Sequence, residues 1–86
     1  MAEYAVSFRR SAEKDLRRLD ASVQQRVLRA VEALAVTPRP PGCKMLHGAE
    51  DTYRIRVGDW RVVFVVDDNL RHVAIERIRH RSDVYR

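Results

Sequence analysis

Several common features of protein sequences are scarce or missing in this chain of 86 residues. It has one cysteine, Cys43, so no internal disulfide can form, which is typical of a reducing compartment. It has no apolar run long enough for a membrane span and no secretory signal pattern, and we therefore expect a cytoplasmic protein. Repeats, linkers and low-complexity tracts are also missing, and the length predicts one domain over residues 1–86.

Metal ligands in a recognised spacing are missing as well. Cys43, His47, His72 and His80 are scattered along the chain and match no zinc pattern. We therefore expect neither a metal site nor a cofactor.

Lysine is scarce although the chain is basic. The net charge is +5 and the isoelectric point is near 10.1, yet only Lys14 and Lys44 of the 17 basic residues are lysines. A basic surface favours nucleic acid or another acidic partner. An arginine-rich composition can also reflect a GC-rich genome, so the positions of the arginines have to decide between these interpretations.

Apolar periodicity predicts an α+β fold. A strand is expected over residues 4–8, followed by one helix with Ser11 as N-cap and a second from Ser22, where Gln25 would complete a capping box. After the proline-rich loop 37–44, short strand character near 44–48 precedes strands at 53–57, 60–66 and through Val73 and Ile75, with a bulge before Ile78. The order β-α-α-β-β-β-β predicts a small antiparallel-rich sheet with a two-helix hairpin packed on one face. The second helix would bury the stripe Val23, Val27, Val31 and Leu34.

The segment YRIRVGDWRVVF, residues 53–64, predicts a hairpin with Gly58 and Asp59 as a two-residue turn of type I′ or II′. In this register Arg56 faces Arg61, and alternation places Arg54 on the same side of the sheet. Opposed like charges destabilise a strand pair, so the pattern favours an anion site, where the arginine fork binds phosphate. The alternative is a solvated face whose arginines splay apart or are neutralised by acids from elsewhere. The other side of the hairpin is apolar and predicted to face the helices: Tyr53, Ile55, Val57, Trp60, Val62 and Phe64.

The C-terminal segment ERIRHRSDVYR, residues 76–86, adds more cations around two aromatic side chains. Aromatic rings among arginines are typical of sites where a base stacks beside a phosphate. An ordinary basic tail is the alternative. The residues concerned are Arg77, Arg79, Arg81 and Arg86 with His80 and Tyr85.

In order and separation these motifs, together with YAVSF, AEKDLRRL, KMLHG and HRSDVY, resemble the RelE toxins of the RelE/ParE superfamily. The resemblance implies a fold with a basic concave face and a ribosome-dependent endoribonuclease that cuts translated mRNA in the ribosomal A site. It also implies silencing by a cognate RelB-like antitoxin, which we expect to be acidic and partly disordered. The residues to which the resemblance assigns catalytic roles are Arg54, Arg56, Arg61, Arg79 and Tyr85.

Metal-free RNA cleavage uses the 2′-hydroxyl as the nucleophile, so it needs a proton acceptor and stabilisation of charge at phosphorus. Arginine cannot take up a proton, and its role must be electrostatic. Tyr85 is one candidate base, if Arg79 and Arg81 lower the pKa of its phenol from the ordinary value of about 10. His80 is the other candidate.

The first helix carries further cations that are candidates for RNA binding. They are expected to hold ribosomal RNA phosphates without sequence preference, or else to form a solvated face. With one residue after the loop, this set is Arg10, Lys14, Arg17, Arg18 and Lys44.

Two other functions are compatible with the sequence. One is a ParE-like inhibitor of DNA gyrase that shares the fold and has no nuclease activity. The other is a non-catalytic RNA-binding module or a decayed toxin. The concentration of cations in one hairpin and tail argues against the gyrase inhibitor, because such an inhibitor has no evident need for a phosphate cradle.

Overall fold

The computed structural model describes residues 3–84, which form three helices and one five-stranded sheet. The strand order is β1-β5-β4-β3-β2; β1 and β5 are parallel and the other neighbours are antiparallel. The predicted α+β class and antiparallel-rich sheet are confirmed. None of the described helices has the length and apolar character needed to cross a membrane. The elements are β1 (Ala5–Phe8), α1 (Arg10–Arg17), α2 (Ala21–Ala33), β2 (Lys44–Met45), β3 (Thr52–Val57), β4 (Trp60–Asp67), β5 (His72–His80) and α3 (Arg81–Val84).

Helices α1 and α2 pack on one face of the sheet and form a single apolar core with it. The predicted stripe of α2 is confirmed, since Val27, Val31 and Leu34 are buried and Val23 packs against them. Burial alternates along β4, as a period of two requires for a strand with one covered face. The buried residues of the sheet are Tyr53, Ile55, Val62, Phe64, Val66, Val73, Ile75 and Ile78.

The predicted N-caps, Ser11 and Ser22, are wrong by two residues at both helices. Helix α1 begins at Arg10 with Arg9 at the N-cap, and α2 begins at Ala21 with Asp20 at the N-cap; neither cap makes a side-chain hydrogen bond. The N–H of Arg9 donates to Ile75 O at 2.8 Å, so strand pairing continues to the residue before the helix. Ser11 therefore lies inside the first turn, and the Ser22–Gln25 capping box does not form.

The C-terminal end of the chain differs from the predicted order. Strand β5 continues to His80, and the four-residue helix α3 follows it directly. The sequence pattern missed α3 because one turn of helix is too short to show a period. The N–H of Arg81 donates to Asp59 O at 2.8 Å, which anchors the start of α3 to the turn between β3 and β4.

The predicted hairpin is confirmed residue by residue. Val57 pairs with Trp60 and Arg56 with Arg61, as a two-residue turn requires. Gly58 has φ of +61°, whereas Asp59 is not in the positive-φ region, which matches type II′ of the two predicted types.

The proline-rich loop is held against the sheet by an arginine. Arg39 Nε donates to Tyr53 Oη at 2.8 Å, and its terminal nitrogens bind both carboxylate oxygens of Asp68 at 3.1 and 2.9 Å. Tyr4 Oη donates to the same carboxylate at 2.6 Å. Hydrogen bonds from Arg39 and then Tyr4 lower the pKa of Asp68, and the bond to Asp68 raises the pKa of Tyr4. This network fixes the loop that ends beside the basic face of the sheet.

Candidate functional site

Three arginines stand in one row across β3, β4 and β5, close to the turn between β3 and β4 and on the face opposite the helices. Arg56 of β3 pairs with Arg61 of β4, and Arg61 pairs with Arg79 of β5. Opposed residues on antiparallel strands point to the same face, so these three side chains leave the sheet together. The prediction that the hairpin places its arginines on one side is confirmed.

A second row lies next to the first. Lys44 pairs with Arg54, Arg54 with Val63, and Val63 with Arg77. Strand alternation places this row on the same face as the first, because its members lie two residues further from the β3–β4 turn on each strand. Lys44, predicted from the sequence as an RNA contact, thus joins Arg54 at the edge of the same surface.

The predicted bulge decides whether β5 contributes to this surface. Phe64 pairs with Ile75 but Val63 pairs with Arg77, so Glu76 is skipped. Without this extra residue the register of β4 and β5 would stay constant, and Arg61 would pair with Ile78. The bulge therefore turns Arg77 and Arg79 to the basic face while Ile75 and Ile78 stay in the core.

Asp15 of α1 holds the bulge from the edge of the sheet. Its Oδ2 accepts from Arg77 Nε at 2.9 Å and from the N–H of Ile78 at 2.9 Å, and its Oδ1 accepts from Arg77 Nη2 at 3.3 Å. Glu76, the skipped residue, forms an ion pair with Arg9 at 2.8 Å. Both partners of the bulge lie on or next to α1, which explains how the helix fixes the register of β5.

The two rows border an open cleft of about 290 Å³ at the β2–β3 side of the sheet. Four of its lining residues are cations and none is acidic: Gly42, Lys44, Arg54, Ile55, Arg56 and Arg61. A concave surface with charge of one sign attracts counter-ions more strongly than a flat one. The cleft therefore suits an anionic ligand with more than one charged group.

Apart from Arg77, which pairs with Asp15, the cations of the two rows form no ion pair with any side chain that the structure describes. The ion pairs there join Arg9 to Glu76, Arg17 to Glu13, Arg39 to Asp68 and Arg77 to Asp15. Arg56 Nε donates only to Gly58 O at 3.1 Å, and Arg61 Nη1 only to Trp60 O at 3.3 Å. Like charges placed side by side raise the energy of the free protein, and an anion bound between them would remove that repulsion.

His80 lies at the junction of β5 and α3, beside the end of the arginine row. Its Nδ1 accepts the N–H of Ser82 at 3.3 Å and lies 2.9 Å from Ser82 Oγ, and its ring meets that of Trp60 edge-on at 5.1 Å. A neutral imidazole whose Nδ1 accepts a hydrogen bond carries its proton on Nε2. In this arrangement Nδ1 of His80 accepts the N–H of Ser82, so His80 caps the start of α3.

The remaining predicted residues are placed as follows. Tyr85 lies outside the described residues, whereas Arg81 is exposed in the first turn of α3. Arg10 and Lys14 are exposed on α1, and Arg17 forms an ion pair of 3.5 Å with Glu13. These three α1 cations do not line the basic cleft.

A second cleft of about 290 Å³ lies around the other edge of the sheet, where α1 ends beside β5. Its lining contains Arg18 from the predicted RNA-binding set and Trp60, which sequence periodicity assigned to the core alone. The strand pattern gave no sign of it, because the cleft exists only where β1 stops short of the end of β5. The lining residues are Asp15, Arg18, Leu19, Trp60, Arg77, Ile78 and Arg79.

No metal centre is evident in the described part of the chain. Residues 3–84 contain no group of three or more histidine, cysteine, aspartate or glutamate side chains close enough to hold an ion.

Comparison with known proteins agrees with this architecture. The profile of the family described as "ParE toxin of type II toxin-antitoxin system, parDE" matches residues 6–85. Toxin RelG of Mycobacterium tuberculosis is 31% identical over 84 residues, covering 96% of this chain and 97% of that protein. RelE in the archaeal RelE–RelB complex of Pyrococcus horikoshii superposes with a TM-score of 0.82 at 28% identity, covering 94% of this chain and 97% of that one. In the E. coli RelBE toxin–antitoxin complex the matching chain has a TM-score of 0.78 at 26% identity, with 87% and 93% covered.

The fold, the basic face and the family profile together define a toxin of a type II toxin–antitoxin system, and the chain belongs to the ParE toxin family. Within the RelE/ParE superfamily it is a RelE-type toxin, because its curated relatives and its structural neighbours are RelE and RelG proteins. The resemblance identified from the sequence motifs is confirmed.

Proposed function

We propose that this toxin is a ribosome-dependent endoribonuclease that cuts translated mRNA in the ribosomal A site. The observation that carries the proposal is the row Arg56, Arg61 and Arg79, which crosses three strands without an ion pair among the described side chains. Such a row costs stability in the free protein, and an RNA phosphate is an anion of the right chemistry to occupy it. The sheet provides the rigid support that a preorganised site requires.

Arg61 occupies the centre of the proposed mechanism. It stands between Arg56 and Arg79 in register, so a phosphate above it lies within the field of three guanidinium groups. The 2′-oxygen attacks the adjacent phosphorus and forms a 2′,3′-cyclic phosphate, while the bond from phosphorus to the 5′-oxygen of the next nucleotide breaks and that oxygen leaves as a hydroxyl after taking up a proton. Negative charge gathers on the non-bridging oxygens, and fixed cations stabilise it more in the transition state than in the ground state. Arg54 and Lys44 in the second row would hold the neighbouring phosphate and set the position of the strand.

The proton of the 2′-hydroxyl is proposed to go to Tyr85. We favour Tyr85 because the family resemblance assigns it a catalytic role, whereas Nδ1 of His80 accepts the N–H of Ser82 in the described structure. The bond from Arg81 N–H to Asp59 O anchors the start of α3, the last described element before Tyr85. Cations close to a phenol favour its ionised form, and Arg79 and Arg81 are the proposed source of that charge.

The proposed partner in the resting cell is a cognate RelB-like antitoxin. The M. tuberculosis RelBE2, P. horikoshii and E. coli relatives were solved as toxin–antitoxin complexes. A net charge of +5 and an uncompensated basic face suit an acidic chain that orders as it binds. Binding of this kind would cover or neutralise the arginine rows and so silence the toxin.

Primer extension on an mRNA in a purified translation system tests the proposal. Cuts within the reading frame are expected with ribosomes and not without them, and a single 2′-deoxynucleotide at a cutting position should abolish the cut there. Cutting that survives the 2′-deoxy substitution would exclude the 2′-hydroxyl mechanism. The absence of cuts under all conditions would favour the gyrase inhibitor or a non-catalytic RNA-binding toxin, which DNA supercoiling and RNA-binding assays separate.

A further inference from the structure

We infer that the second cleft, around the β5 edge, is a separate RNA subsite that binds one nucleotide of the strand beyond the scissile phosphate. The inference rests on the proposed function for the class of its ligand. It concerns a surface at the edge of the sheet, formed chiefly by Arg18 at the C-cap of α1, Trp60 of β4 and Arg79 of β5.

The cleft exists because the sheet is uneven at this edge. Strand β1 pairs only with residues 72–75 of β5, so the second half of β5 has β4 on one side and no described strand on the other. Asp15 satisfies the N–H of Ile78 there, and the end of α1 forms the far wall. The volume of about 290 Å³ is at the lower limit of pockets that hold small ligands, which suits a single nucleotide better than a larger group.

The charge of the cleft points to a phosphate. Its one acidic residue, Asp15, is already bound by Arg77 and by a backbone N–H. Neither Arg18 nor Arg79 forms an ion pair with any of the described side chains. The cleft therefore has a net positive charge that no acidic side chain in the described part of the chain neutralises.

The aromatic side chain points to a base. Trp60 is only partly buried although most of its hairpin face is core, and it lines the cleft above the apolar floor made by Leu19 and Ile78. A base stacked on an aromatic ring beside an arginine is the usual arrangement in single-strand binding. The indole would stack on the base, the guanidinium groups would bind the phosphate, and the apolar floor would lie beneath the nucleotide.

Arg79 connects this subsite to the cutting site. It ends the row that begins with Arg56 and Arg61, and it also lines the second cleft. An RNA strand that leaves the arginine row past Arg79 reaches the cleft without crossing an acidic surface. The subsite would then contribute to binding the strand while taking no part in the chemistry.

The single tryptophan of the chain makes the test direct. Trp60 fluorescence is titrated with a short 2′-O-methyl RNA, which cannot be cut, and with an abasic oligonucleotide of the same length, for wild type, Arg18→Ala and Arg29→Ala. Arg29 is an exposed arginine of α2 outside both clefts, so its variant matches the change in charge. Trp60→Phe, followed by fluorescence anisotropy of a labelled RNA, reduces the stacking surface from an indole to a phenyl ring while keeping an apolar side chain.

Saturable quenching by the RNA and not by the abasic chain is expected. Arg18→Ala should weaken binding about fivefold and lower the salt slope by about 0.7, the contribution of one single-strand phosphate contact, while Arg29→Ala leaves both unchanged. Binding seen by anisotropy without any response of Trp60 or any effect of Arg18→Ala would overturn the inference, and so would the absence of binding. Quenching in a protein that never cuts mRNA would support the subsite and refute the nuclease, so the two failures are distinguishable.

Discussion

Replacing Asp15 by alanine should destabilise the protein far more than the loss of an ordinary surface acid. The carboxylate is only 10% exposed and accepts hydrogen bonds from Arg77 and from the N–H of Ile78 at the bulge. No other described side chain takes part in this contact. Asp15→Ala thus removes the group that fixes the point where β5 skips a residue.

The magnitude follows from the exposure of the two donors. Arg77 is 44% exposed, so water replaces most of what its guanidinium loses, and that part costs roughly 0.5–1 kcal/mol. Ile78 is 2% exposed, and a buried N–H left without an acceptor costs about 1–3 kcal/mol. We expect a total near 2–3 kcal/mol, which for a domain of this size lowers Tm by about 10–15 °C.

Urea unfolding followed by Trp60 fluorescence and circular dichroism measures this loss. Glu13→Ala is the matched control on the same helix, because its pair with Arg17 is 3.5 Å long and both side chains are more than half exposed. It should cost no more than about 0.5 kcal/mol. Asp15→Asn keeps an oxygen for Ile78 and should fall between the two. If Asp15→Ala were no more destabilising than Glu13→Ala, Asp15 would not hold the bulge.

Three further predictions concern His80 at the end of β5, Gly58 in the hairpin turn and Asp68, which binds Arg39 of the proline-rich loop. His80→Asn, which can still cap α3, should keep mRNA cutting within about threefold of wild type while His80→Ala loses roughly tenfold; equal loss in both variants would make the imidazole the base. Gly58→Ala should cost about 1–2 kcal/mol in urea unfolding, because its φ of +61° is unfavourable for alanine and its new Cβ would lie 2.8 Å from Arg26 Nη2; an unchanged midpoint would contradict the type II′ turn. The pKa of Asp68 is lowered in the folded protein by Arg39, so its contribution to stability is present above the ordinary aspartate pKa of about 3.9 and is lost as the pH falls below it. Wild type should therefore lose more stability than Asp68→Asn between pH 5 and pH 2, and parallel curves would refute this.

The hairpin could be predicted from the sequence because its geometry is local. A Gly58–Asp59 turn of two residues sets the register, and the register alone places Arg56 opposite Arg61. The bulge could be predicted for a similar reason. The alternation of apolar residues is broken between Ile75 and Ile78, which are three positions apart although both face the core.

The features that the sequence pattern missed depend on contacts between distant segments. The N-cap of α1 lies two residues before the predicted Ser11 because Arg9 N–H pairs with β5, and no local signal at Ser11 indicates that bond. The cleft beside Trp60 forms only because β1 ends early, a length that periodicity cannot set. The cap that His80 provides to α3 likewise needs the end of the sheet to be in place.

The most direct test of the central claim is the single-turnover rate of mRNA cutting on programmed ribosomes for Arg61→Ala beside Arg29→Ala. Loss of one preorganised charge at the reacting phosphate should slow cutting about 10²- to 10³-fold, whereas the same loss of charge on α2 should leave the rate unchanged. Retained binding of the cognate antitoxin by both variants would show that each is folded. An Arg61→Ala rate within about threefold of wild type would contradict the assignment of the arginine row as the cutting site.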